Sequence, residues 1–188
     1  EAQARFFRAF LYFQLAKRHG GEIIIFKSLD KTVKNTPLTA AADTWQYIYD
    51  ELMFAAENLP EEWNSQNTGR VTKGAAYALL SRAMLYAERW DVVKTAAEEV
   101  EQLGYALEKK YAHVFTKGIG SGNTEAIIQH QFDRANDVTH SYDFYYTPGG
   151  DFSINKETGG GYGTPTQEMV ESYELATGGF PDWTPWHD

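Results

Sequence analysis

The chain has 188 residues, a formal net charge of −9 and 43% hydrophobic residues, which is enough for one domain with a core. The acidic balance disfavours nucleic acids and polyanionic ligands, because like charges repel. The absence of cysteine excludes disulfides, thiolate zinc sites and thiol catalysis within this stretch.

The first predicted helix covers about residues 2–18. Its apolar residues occupy most of the circumference, so we expect it to lie deep in a helical array. A double glycine at residues 20–21 ends it, since glycine adopts the left-handed conformation. Residues 23–26 are far fewer than the roughly 20 needed to span a bilayer and predict a buried strand or core segment. Because Glu1 already falls within the helical pattern, we expect the chain to be an internal piece of a longer protein.

Three further helices are predicted before residue 104. The second, residues 44–59, has one apolar stripe, with Asp43 as its cap and Gln46 completing a capping-box-like pair. The third, residues 72–88, carries rows of alanine that allow another helix to approach closely. Asp91 is placed to cap the fourth. The last two resemble a tetratricopeptide-like hairpin, and the first two should stack on it because one hairpin cannot bury both faces.

The remaining sequence is irregular and rich in aromatic residues, which make up 11 of the 55 residues from Phe132 to Trp186. Residues 125–132 alternate weakly, which predicts a strand or a short extended segment lying on the helices. Thr164 and Pro165 predict the start of a further helix. We therefore expect a mainly α chain, with tetratricopeptide-like hairpins in residues 1–104 and a loop-rich, aromatic part in residues 105–188.

Several segments resemble, in order, the signature motifs of the SusD/RagB family. They lie at residues 1–13, 19–21, 52–60, 69–82, 123–128 and 165–173. The segment GRVTKGAAYALLSR, residues 69–82, matches its family signature almost letter for letter. Each motif alone is weak, but their order and intervals are specific. Two places depart from the family pattern: Glu22 replaces the usual proline after the double glycine, and residues 178–183 differ from the commoner continuation.

The resemblance implies one SusD-like domain fragment over residues 1–188, with a helical scaffold and a less regular ligand-binding half. It further implies a non-catalytic lipoprotein of polysaccharide utilisation, exposed at the outer membrane surface of Bacteroidetes-type bacteria. Such proteins bind glycans or other nutrients and deliver them to a SusC-type TonB-dependent transporter. The lipid anchor that the family carries would lie outside this chain.

Candidate ligand residues follow from the chemistry of sugars, whose C–H faces stack on flat apolar rings rimmed by hydrogen-bonding groups. Trp183 and Trp186 are the strongest candidates, because prolines break their segment and no helical pattern buries both. For any single ring, packing of the loops onto the scaffold is the alternative. Trp45 and Trp90 belong to helices or turns and are expected to pack in the core. The other candidates are Tyr145, Tyr146, Tyr162 and Trp63, the last expected at the surface.

Catalytic and metal functions find little support in the sequence. Among 26 acidic residues some pair always lies at a distance plausible for a glycosidase, so the number of acidic residues is no evidence for one. The histidines lack paired spacing, and a possible calcium loop at Asp133, Asn136 and Asp137 lacks the full twelve-residue pattern. We predict no enzyme activity, no metal and no cofactor.

The alternative function is a tetratricopeptide-like scaffold for protein–protein interaction that binds no sugar. Exposed aromatic residues on loops would favour glycan binding. Exposed aromatic residues along the helical concavity would favour the scaffold.

Overall fold

The computed structural model describes residues 1–26, 36–117, 122–130, 132, 134–139 and 165–180. Within these ranges it contains six α-helices and no strand, which confirms the mainly α class. They are α1 (Ala2–Ala16), α2 (Ala41–Asn58), α3 (Lys73–Tyr86), α4 (Trp90–Gln102), α5 (Tyr111–Thr116) and α6 (Gln167–Glu171). None of these described helices has the length and hydropathy to cross a membrane.

The chain divides into two compact units, Glu1–Gln131 and Phe132–Asp188. In the first unit, α1 packs on α2, α2 on α3 and α3 on α4, whereas α1 and α3 meet only marginally. This sequential stacking is the tetratricopeptide-like arrangement that the sequence predicts. The fully buried large side chains come from the first three helices: Phe13, Ile48, Leu52, Leu80 and Met84.

The double glycine ends α1 as predicted, and the structure shows why both positions are glycine. Gly20 and Gly21 have φ values of +68° and +86°, which side chains rarely adopt. A Cβ on Gly21 would also lie 2.9 Å from Trp45 Nε1 and 3.0 Å from the Ala41 Cβ. A Cβ on Gly20 would meet nothing within 4 Å. Gly21 therefore allows the start of α2 to approach the end of α1.

Segment 23–26 is a core segment, as expected. Ile23 and Ile25 are buried, and the Ile23 carbonyl accepts a 2.8 Å hydrogen bond from the Thr39 amide in an isolated bridge. The predicted strand at residues 125–132 is wrong for its described part, since residues 125–130 form no strand. The alternative, an extended segment on the helices, agrees with Ile127, which packs against the core.

Three of the predicted helix caps are wrong. α2 begins at Ala41 and α4 at Trp90, so Asp43 and Asp91 lie in the first turns rather than at the caps. Their carboxylates still lie near the positive end of each helix dipole, where acidic residues are favoured. α6 begins two residues later than predicted, and Thr166, not Thr164, is its cap: its hydroxyl accepts a 3.3 Å hydrogen bond from the Met169 amide.

Two expectations of burial are also corrected. α1 buries only one face, through Phe6, Ala9, Phe13 and Ala16, because α2 is the helix that packs most extensively on it. Trp90 is 61% exposed instead of packing in the core, because it opens the first turn of α4, a helix that buries only Ala96. Trp45 is half-buried, stacked on Tyr86 and tilted against Phe13.

Candidate functional site

Two arginines of the first signature motif join α1 to α2 through one buried carboxylate. Glu51 is 5% exposed, and its Oε2 accepts a 2.7 Å hydrogen bond from Arg8 Nε. This bond raises the pKa of the Arg8 guanidinium above its ordinary value. Arg5 Nη1 lies 3.6 Å from Glu51 Oε1, and its guanidinium stacks 3.7 Å above the Phe54 ring. These motif arginines are therefore structural, and Glu51 within the apolar stripe of α2 is the sequence signal that could have revealed their partner.

The Asn-Thr-Glu motif clamps the segment that follows α5. Asn123 Nδ2 donates to the Lys117 carbonyl at 2.8 Å, and its Oδ1 accepts from the Glu125 and Ala126 amides at 3.0 Å. Thr124 makes two hydrogen bonds with the backbone of Ala106. The Thr124 backbone carbonyl accepts from the Ala106 amide at 3.1 Å, and the Thr124 hydroxyl donates to the Ala106 carbonyl at 3.0 Å. Residues 123–126 are thereby fixed in direction.

Two glutamate side chains, those of Glu108 and Glu125, complete this clamp by accepting hydrogen bonds from backbone amides. Glu108 Oε1 accepts from the Thr124 amide at 3.1 Å, and Glu125 Oε2 accepts from the Glu108 amide at 2.9 Å. The bond from Thr124, together with nearby Lys117 and His113, lowers the pKa of Glu108 below its ordinary value. Both carboxylates are thus engaged in positioning the backbone.

The clamped segment borders a groove of the first unit. The groove has a volume of about 980 Å³ and lies between α1 and α3. Phe6, Phe7 and Phe10 line it from α1, and Ala75, Leu79 and Arg82 from α3. Residues 127–130 lie along the same groove. Residues 127–130 of the same chain therefore border the surface between α1 and α3.

The sequence-predicted ligand residues are mostly outside the described residues: Trp183, Trp186, Tyr145, Tyr146 and Tyr162. Trp63 is described and is half-buried rather than exposed. Its Nε1 donates a 2.8 Å hydrogen bond to the Val71 carbonyl, and the Arg70 guanidinium lies 5.7 Å from its ring centroid. Trp63 also borders a shallow cleft of about 330 Å³ beside Phe54 and Pro60.

No group of three or more acidic or histidine side chains that could hold a metal occurs within the described ranges. Asp133 of the calcium loop considered from sequence lies outside the described residues, whereas Asp137 is described and has a φ of +59°. The groove residues Phe7 and Phe10 were missed as surface residues because the sequence predicted burial around all of α1.

The fold defines a tetratricopeptide-like helical scaffold whose groove between α1 and α3 is bordered by residues 127–130 of the same chain. A family model described as "Starch-binding associating with outer membrane", SusD-like, matches residues 1–85. A curated SusD-like protein from Bacteroides ovatus is 29% identical over 145 residues, which are 70% of this chain and 26% of that protein.

Solved structures agree. A SusD-like protein from Bacteroides fragilis is 32% identical, with a TM-score of 0.76 over 93% of this chain and 35% of its own. A SusD-like carbohydrate-binding protein, also from Bacteroides fragilis, is 25% identical with a TM-score of 0.79, over 97% of this chain and 35% of its own. The chain is similar to SusD-like proteins over most of its length. It spans about a quarter to a third of the length of these relatives.

Proposed function

We propose that the protein containing this chain binds glycans without catalysis at the cell surface and passes them to a SusC-type TonB-dependent transporter. Its family model is described as starch-binding and associated with the outer membrane, and one similar structure is of a carbohydrate-binding protein. Within a single domain, residues 1–104 act as scaffold and residues 105–188 supply the ligand-binding part. A lipid anchor outside this chain holds the protein at the membrane, and no cofactor is needed.

The groove between α1 and α3 bears on the alternative function, a scaffold that binds partner peptides. Tetratricopeptide-like arrays use such concave surfaces to bind partner peptides. Here the chain's own residues 127–130 lie along the groove, directed there by the Asn123 clamp. Because exposed Phe7 and Phe10 line this groove, the groove does not itself favour glycan binding. The observation that carries the proposal is the similarity of 97% of this chain to a SusD-like carbohydrate-binding structure.

Recognition rests on aromatic stacking. Trp183 and Trp186 are the main proposed ligand contacts, and Tyr145, Tyr146 and Tyr162 are further candidates. Trp63 contributes only through its ring, because its indole N–H is already bonded to the Val71 carbonyl. A few stacking contacts give modest affinity, which suits a protein that must release its ligand to a transporter.

The test is calorimetry on the whole protein with the oligosaccharide that gives the strongest signal on a glycan array. Trp183→Ala and Trp186→Ala should each weaken binding about tenfold or more, equivalent to about 1.4 kcal/mol. Trp90→Ala is the matched control, since this exposed tryptophan belongs to the scaffold, and it should leave affinity unchanged.

Unchanged affinity in both test variants would rule out this placement of the site. An array without hits, together with stable capture of a protein partner, would instead favour the interaction scaffold.

A further inference from the structure

The two aromatic rings of α5 are unusually exposed for side chains of their size. Tyr111 is 79% exposed and Phe115 is 72% exposed, and a spacing of four residues places both on one face of the helix. Their ring centroids are 5.2 Å apart and their planes meet at 76°, so the edge of one ring faces the other. The two rings form an open, nearly right-angled surface, the Tyr111–Phe115 corner.

Hydrogen bonds of the Asn123 clamp hold α5 at both of its ends. Before the helix, Glu108 Oε1 accepts from the Thr124 amide at 3.1 Å. After the helix, the Lys117 carbonyl accepts from Asn123 Nδ2 at 2.8 Å. His113, on the helix itself, places its Nδ1 3.4 Å from Glu108 Oε2. The corner is therefore preorganised, and a ligand loses little affinity in ordering it.

Cationic side chains adjoin the corner although the chain as a whole is acidic. Lys109 and Lys110 immediately precede the helix, and both are exposed. Within the part of the chain that the structure describes, neither forms an ion pair. The carboxylates of the clamp, Glu108 and Glu125, accept from backbone amides instead. Residues 105–117 thus carry three lysines against one glutamate, and their local charge is opposite in sign to the net charge of −9.

From the rings and the lysines together we propose that the Tyr111–Phe115 corner binds a saccharide that carries carboxylates, a uronic-acid oligosaccharide. The C–H face of a sugar ring stacks on one of the aromatic rings, and Lys109 and Lys110 pair with its carboxylates. An acidic peptide fits less well, because peptide side chains anchor in recessed pockets and these two rings line neither groove described above. The inference rests on the proposed glycan binding and adds to it a second contact, specific for charged sugars.

The test is calorimetry of the whole protein with oligogalacturonate, oligoalginate and a hyaluronan fragment, each compared with its methyl ester. The ester keeps the sugar rings and loses the charge. At least one acid should bind about tenfold more tightly than its ester, and added NaCl should reduce this preference by screening the lysines. Absence of binding to all three acids, or equal binding of each acid and its ester, would overturn the proposal.

Substitutions separate stacking from charge. Phe115→Leu keeps an apolar side chain and removes the flat ring, so affinity for the acid should fall about five- to tenfold. Lys109→Gln combined with Lys110→Gln should abolish the preference for acid over ester. Lys94→Gln, at an exposed lysine of α4, is the control and should leave the preference unchanged. An effect of the two lysines without an effect of Phe115→Leu, or equally tight binding of polyglutamate, would indicate attraction of any polyanion and overturn the proposal.

Failure of this site is distinguishable from failure of the proposed function. If only the α5 site is wrong, the strongest uncharged array glycan still binds, and Trp183→Ala and Trp186→Ala still weaken that binding. If the proposed function is wrong, neither the acids, their esters nor the uncharged glycan binds the whole protein.

Discussion

The two glycines after α1 allow the cost of backbone conformation to be separated from the cost of packing. Both have positive φ, +68° at Gly20 and +86° at Gly21, so alanine is strained at either position. This strain costs about 1–2 kcal/mol, partly offset by about 0.4–1 kcal/mol from the lower entropy of the unfolded chain. Gly20→Ala should therefore destabilise the protein by about 1 kcal/mol.

Gly21→Ala adds a steric term. Its new Cβ would lie 3.0 Å from the Ala41 Cβ and 3.4 Å from the Ala41 Cα, which are fixed by α2, while Trp45 Nε1 at 2.9 Å can yield more easily. Overpacking of this kind costs about 1–3 kcal/mol, so the total is about 2–4 kcal/mol. The difference between the two variants isolates the contact between the end of α1 and the start of α2.

The assay is urea unfolding of the whole protein and of each variant, followed by circular dichroism. Gly21→Ala should lower the free energy of unfolding by about 1–3 kcal/mol more than Gly20→Ala. Equal losses would refute the reasoning, since they would mean that the close approach of Ala41 and Trp45 contributes nothing.

Three further predictions concern Gly74 and two glutamates, Glu51 and Glu108, that bind motif residues. Gly74→Ala should destabilise by about 1–3 kcal/mol in urea unfolding, because its Cβ would lie 2.5 Å from the Tyr105 ring. In a Tyr105→Ala background the same change should be neutral or stabilising, since alanine favours helix over glycine, and an unchanged cost would contradict the contact. Glu51→Gln should lower the free energy of unfolding by about 1–2 kcal/mol, a modest value because the arginines of α1 are partly exposed. An unaltered urea midpoint would contradict this prediction. Glu108 has a lowered pKa, so its carboxylate stabilises the fold above its unfolded pKa and loses this effect as the pH falls through the folded value. Melting temperatures of Glu108→Gln and the parent protein should therefore differ at pH 7 and converge in acid, whereas a constant gap would contradict this role.

The helical stack follows from sequence because it depends on local signals. Three such signals are the apolar stripe of α2, the alanine rows of α3 and the double glycine after α1. Each depends on residues close together in the sequence, and tertiary packing did not override it. The errors at the caps are also local. Asp43 and Asp91 satisfy the preference for acidic first turns as well as for caps, so composition alone could not choose between the two positions.

Burial was harder to predict because it depends on neighbours. The circumference of α1 is apolar, yet only the face on α2 is buried, and no local pattern states which neighbours are present. Trp90 was expected in the core because it belongs to a helix or turn, although a tryptophan at the first position of a helix can point outward. The groove and the Asn123 clamp join segments distant in sequence, so they emerge only from the tertiary structure.

The whole protein is proposed to recognise a saccharide without cleaving it. The most direct measurement is a calorimetric titration of the whole protein with its strongest array glycan, followed by chromatography of the saccharide after prolonged incubation. Saturable binding with the saccharide recovered intact is the predicted result. Turnover that persists through rigorous purification, or the absence of binding to any glycan, would contradict it.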